Sequence, residues 1–249
     1  MTVTEEEYRL LQAWSDVRLY LPRVEDLKEE SGSQVFDAAI RQAEEALDLT
    51  SVSELSMALP AAYEALKAAV ETYTEGLCAG WTPGEEVDLT WLLTNPDFSE
   101  GSKGWEGTSF TAASSGVAEF YDKTYDTYQV LERMPAGTYR LRAQGFYRYG
   151  DKAEAYNAHR DGSEQLLAGL YLNNSRQMFM SLFDGSAPYT YNPYTYPDDV
   201  WTANDAFNRD GEYRANEVEY ELLAKGDLRV GLDKTEYRYH DWNLSLIHI

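Results

Sequence analysis

The spacing of apolar residues changes once along this chain, near residue 80, and that change divides what the chain can fold into. From residue 4 to 79 apolar side chains recur at intervals of three and four, the helical period. The first run sets Tyr8, Leu11, Trp14, Val17, Leu21, Val24 and Leu27 on one face, and Thr4 with Glu7 forms a capping box at its start. Pro22 lies inside the run and predicts a kink or a split. Ser33 predicts the cap of a second helix with Phe36, Ile40, Ala43 and Leu47 inward. Ser51 and Glu54 form another capping box before a third, with Leu55, Leu59, Tyr63, Leu66, Val70 and Tyr73 inward and Pro60 near its first turns. Three amphipathic helices with short links predict a small antiparallel bundle over residues 1–80.

"GLCAGWTPGEE" then punctuates the chain with Gly, Pro and charge, and a second domain is predicted over residues 81–249. Beyond it the period is two. "VAEFYD", "TYQVLERM", "GTYRLRAQGFYRY", "LAGLYLN", "RQMFMSLF", "YRANEVEYELL" and "DLRVGLD" read as strands bounded by turns, with "PAG" and "KGD" as two of those turns. "TANDAF" adds one short helix. Many short strands without alternating helices predict an antiparallel β-sandwich or jelly roll, so the fold class is α+β in two domains.

The chain's charge narrows its partners. Forty-three acidic residues stand against 21 Lys and Arg, a formal charge of -22. Such a field repels nucleic acid and anionic membrane surfaces, whose binding rests on cationic contacts to phosphate. No stretch is apolar and long enough to span a bilayer, so no membrane insertion is expected. The start, "MTVTEEEYRLL", is acidic where a secretory leader has a basic region and an apolar run. That leaves a cytoplasmic protein or an internal piece of something larger. The single cysteine, Cys78, excludes an internal disulfide and reads as a small buried hydrophobe.

Several pieces of the second half, taken in order, resemble a known family. "NPDF", "GW" and "TYQVLERMPAGTYRLRAQGFYR", followed by "WTANDAFNRDGEYRANEVEYELLAKGDLRVGLDK", are similar to the galactose-binding-like β-sandwich. The version resembled is that of carbohydrate-binding modules and large surface proteins of gut Bacteroidota. The resemblance covers about Val87 to Trp242, and the helical part resembles the three-helix modules found beside such domains. It implies a non-catalytic glycan- or polysaccharide-binding module of a larger secreted or cell-surface protein, with other domains of the same parent chain as neighbours. In the family, Asp-Trp opens a final strand with a Phe-Asp-Asn-Phe motif. Here Asp241-Trp242 is followed by "LSLIHI", which resembles the translation of a sequencing-library adapter. On that reading the last strand is truncated, His248 is foreign, and a ladder stands open unless the tail pairs there.

Candidate site residues follow from ring chemistry. A sugar offers an apolar face to aromatic rings and a hydroxyl rim to polar groups. "GFYRYGD" runs off a strand and places Tyr147, Arg148 and Tyr149 at a sheet end. "APYTYNPYTYPDD" alternates tyrosines with Thr, Asn and Pro, and Tyr191, Tyr194 and Tyr196 become contacts if this long loop is not simply a packed lid. The family resemblance also implies a structural calcium near the Asn-Pro-x-Phe turn, for which Asp97 and Glu100 are the residues present. Ser99 stands at the family's Glu position, and a solvated turn is the alternative. No other cofactor is expected. With His159, His240, His248 and one cysteine, no nucleophile–base set stands out, and an enzyme is not expected. A spacer or adhesion module is the other reading. A binder requires exposed tyrosines clustered at one sheet end or concave face, and a spacer has them buried or scattered.

Overall fold

The computed structural model describes residues 4–80, 82, 84–113, 117–185, 197–209 and 211–248. The chain forms two compact units, Met1–Val87 and Asp88–Ile249.

The first unit holds helices α1 (Glu5–Ser31), α2 (Asp37–Leu47) and α3 (Val52–Ala79), each packing on the other two. At the start of α1 the Thr4 hydroxyl accepts from the Glu7 amide and the Glu7 carboxylate accepts from the Thr4 amide. Pro22 does not split α1: it lies on the exposed side, where water can take the carbonyl its missing N–H leaves unpaired. The second capping box does not form. The Ser51 hydroxyl pairs with Ser53 instead and makes no cap bond. Ser33 caps a short 3-10 turn, Gln34–Phe36, that leads into α2.

Val17, Leu21, Val24 and Leu27 are buried, as are Phe36, Ile40, Leu59 and Leu66, whereas Tyr8, Leu11 and Trp14, expected inward, are exposed. The lengths explain this. At about 1.5 Å per residue α2 reaches less than half as far as α1, so the first turns of α1 lack a second neighbour. Cys78 is half-buried rather than buried.

The second unit contains β1 (Glu106–Gly107), β2 (Thr111–Ala113), β3 (Val117–Tyr121), β4 (Tyr125–Met134), β5 (Gly137–Arg148), β6 (Gly169–Leu172), β7 (Ser175–Met178), β8 (Asn216–Leu222), β9 (Gly226–Lys234) and β10 (Trp242–His248). They form two five-stranded antiparallel sheets, ordered β1-β4-β9-β6-β7 and β2-β3-β10-β5-β8. In β4 the alternation is plain: Tyr125, Thr127, Gln129 and Leu131 are buried, while Asp126, Val130 and Glu132 face out. The predicted helix at 202–207 is a short helix α5 (Val200–Asn204) that widens into a π-helical turn over Asp205–Arg209.

The helix α4 (Lys152–Asp161) was not expected from the pattern; Asp151 caps it and Gly162 ends it in the left-handed region. The ladder expected to stand open is filled, since β10 pairs with β3 on one side and β5 on the other.

Rings and polar groups of the two sheets meet in the core. Phe120 of β3 stacks on Tyr125 of β4 with centroids 3.7 Å apart. The Tyr125 hydroxyl donates to Asn243 (2.8 Å), and the Tyr147 hydroxyl donates to Asp241 Oδ2 (2.7 Å). The same oxygen holds the Lys234 ammonium, so a fully buried ion pair lies beside a buried phenol. Burial pushes the Asp241 carboxyl up, against the opposing pull of Lys234 and Tyr147.

Candidate functional site

The Asn-Pro turn closes on itself. Asn95 sits in the left-handed region; its amide donates to the Gly101 carbonyl (2.7 Å) and its Oδ1 accepts from the Glu100 amide (2.9 Å). The Trp105 indole donates to the Asn95 carbonyl, and the buried Phe98 and Trp105 rings pack 5.0 Å apart. Asp97 Oδ1 accepts from the Ser99 amide and hydroxyl, and Glu100 pairs with Lys103. Among the described residues no group of three or more His, Cys, Asp or Glu is placed to hold a metal.

The residues expected at the end of β5 divide. Tyr147 is fully buried, because β5 lies between β10 and β8 and this side chain faces inward to Asp241. Its ring is core, not a ligand contact. Arg148 is also buried. It lies over the Trp242 ring at 5.2 Å, donates to the carbonyls of Gly150 (3.0 Å) and His240 (3.3 Å), and points Nη1 toward Asp198 Oδ1 at 3.9 Å. Tyr149 is half-buried beneath the Arg238 guanidinium, 4.2 Å from its ring centre, and Arg238 pairs with Glu154 of α4. Lys152 pairs with Asp198. Tyr191, Tyr194 and Tyr196 lie outside the described residues.

Beside Arg148 the structure assembles rings that the sequence pattern did not single out. The end of β3 and the segment between β9 and β10 bring Tyr121, Tyr237, Tyr239 and His240 together. The tyrosines are 48%, 62% and 60% exposed. His240 stacks on Tyr239 (3.7 Å, 24°) and, at a longer 6.2 Å and 26°, on Tyr121. Asp122 organises the patch. Its Oδ1 accepts from the Tyr237 hydroxyl (2.9 Å) and the His240 amide (3.2 Å), and its own amide donates to the Asp241 carbonyl (3.0 Å). The hydrogen bond to Asp122 pushes the Tyr237 phenol up.

Asp122 and His240 both hold left-handed backbone, at φ 52° and 59°. That conformation costs on the order of 1 kcal/mol for a non-glycine residue and is concentrated at sites the surrounding structure fixes. The sequence signal was "TEYRYHDW", three rings within four residues of a turn, overshadowed by the longer tyrosine tract at 189–196.

No protein-family model matches the chain, and none of the curated proteins matches it.

Exposed stacked rings stand beside a buried guanidinium and carboxylates, which fits one apolar face and one polar rim of a ligand. One further cluster lies apart from these rings. Ser181 donates to Glu164 (2.9 Å), and His159 Nδ1 contacts the other oxygen of Glu164 (2.8 Å). The acid stands between hydroxyl and imidazole, so the imidazole is not placed to take the serine proton, and the arrangement ties α4 to Ser181. Burial pushes Glu164 up, opposed by both partners.

Proposed function

We propose that the second unit is a galactose-binding-like β-sandwich of the jelly-roll kind that binds glycan without catalysis. In the same reading the first unit is a three-helix bundle that precedes it in the chain, within a larger secreted or surface-anchored protein. The face-to-face reading of the sheets is supported by the Phe120–Tyr125 stack and by the hydrogen bond from Tyr125 to Asn243, both of which run from one sheet to the other.

The observation that carries the function is the cluster of Tyr121, Tyr237 and Tyr239 around His240. These large side chains are exposed together around Asp122 and His240, the two residues with left-handed backbone, where a spacer has no use for them. Pyranose rings stack on such surfaces, and the carboxylates of Asp122 and Glu154 stand at the rim. A glycan array tests this with the parent, Tyr239→Ala and Tyr121→Ala. Each variant is expected to lose about five-fold in affinity, since an exposed ring contact contributes roughly 1 kcal/mol. Both keep the parent's circular dichroism, because the rings face solvent. Binding that ignores both substitutions removes the patch from the site, and a parent that binds nothing on the array leaves the spacer reading.

A further inference from the structure

We propose that the glycan this site takes is electrically neutral, and that uronate- and sulfate-bearing polymers are excluded. The inference rests on the glycan-binding reading and adds its ligand class. Every cation that the described residues bring to the patch already faces a partner. Lys152 is held by Asp198, whose other oxygen faces Arg148 Nη1, and Arg238 is held by Glu154. Arg148 spends further donors on the carbonyls of Gly150 and His240. Lys123, next to Asp122 in the turn, sends its ammonium to the Ser109 carbonyl over the Phe120 ring.

The carboxylates outnumber these cations: Asp122, Glu154 and Asp198 are joined by Asp151 at the cap of α4 and by Glu119, which accepts from the Trp242 indole. An anionic sugar at Lys152, Arg148 or Arg238 has to displace a protein carboxylate from its cation, and it enters a field set by a formal charge of -22.

A sugar hydroxyl meets no such barrier. It donates to carboxylate oxygens that keep lone pairs at the surface, among them those of Glu154, whose side chain is half-exposed. Arg148 lies between Asp198 and the His240 carbonyl, so one guanidinium separates the carboxylate side of the site from the ring stack. That places acceptors beside an aromatic face, as a neutral pyranose requires.

Native affinity electrophoresis provides the test. Gels contain a neutral polysaccharide (galactan, mannan, xylan or mixed-linkage glucan) or an anionic one (polygalacturonate, alginate or chondroitin sulfate), each at low and high salt. The parent is expected to be retarded by at least one neutral polymer, equally at both salt levels, with retardation lost in Tyr239→Ala. The anionic gels leave its mobility unchanged. Tyr239-dependent retardation by an anionic polymer, weakening with salt, overturns the inference and leaves glycan binding standing. No retardation by any polymer removes both.

Discussion

The buried pair of Lys234 and Asp241 makes the sharpest prediction about stability. Both side chains are almost wholly buried, 1% and 2% exposed, and Asp241 Oδ1 has no hydrogen-bond partner. Lys234→Met keeps the aliphatic stem and removes the ammonium. It leaves a buried carboxylate with only the Tyr147 hydroxyl, and breaking such a pair costs about 3–5 kcal/mol. With a urea dependence of about 2 kcal/mol per molar, the midpoint of the second unit falls by roughly 2 M at pH 7. In Lys234→Met/Asp241→Leu no charge is left to bury, and most of the loss is recovered.

The sign with pH follows from the carboxyl. Burial already raises Asp241, and removing Lys234 removes a group that lowers it. The folded value then lies further above the unfolded one, so the deficit is full above the folded value and shrinks as falling pH protonates the carboxyl. Urea titrations of parent, single and double variants at pH 7 and 4.5, followed by far-ultraviolet circular dichroism, measure both effects. A double variant as unstable as the single one, with no narrowing at the lower pH, refutes the reasoning: the lysine then acts through its stem alone.

Two further substitutions test local features. Asn95→Ala removes two good side-chain hydrogen bonds and puts alanine in left-handed backbone, so thermal denaturation should show a loss of about 3 kcal/mol, whereas Asp97→Ala should stay below about 1 kcal/mol. Gly231→Ala places a methyl 2.5 Å from Tyr171 Cζ and 2.8 Å from the Thr127 carbonyl; the ring can shift but the backbone oxygen cannot, and a loss of roughly 1–3 kcal/mol is expected in the urea midpoint.

The α+β character was legible because burial imposes a period. A helix packed on one side and a strand packed on one side repeat their apolar residues at different intervals, and both intervals are long enough here to read. What period could not convey was length matching. Tyr8 and Leu11 continue the rhythm of α1 past the reach of α2, so the pattern marks a face without showing what covers it. Capping was legible only in part. Thr4 and Ser51 carry the same motif, but the Ser51 hydroxyl has a competing partner in Ser53, a choice made by geometry rather than by spacing.

The site was harder to read because exposure and burial alternate within a few residues. Tyr147, Arg148 and Tyr149 form one "YRY" stretch, and the structure sends the first ring to Asp241, stacks the guanidinium on Trp242 and leaves only the third half-open. The same three letters recur at Tyr237, Arg238 and Tyr239, where both rings are exposed. What distinguishes them is position: the first stretch ends a strand enclosed on both sides, and the second lies in the turn before β10. Arg238 then stacks on Tyr149 and Arg148 donates to the His240 carbonyl, so each stretch supports the other across the sheet end. Removing the guanidinium of Arg148 should therefore disturb Tyr239 and His240 without touching either ring, and the aromatic patch depends on a residue that the ligand need not contact.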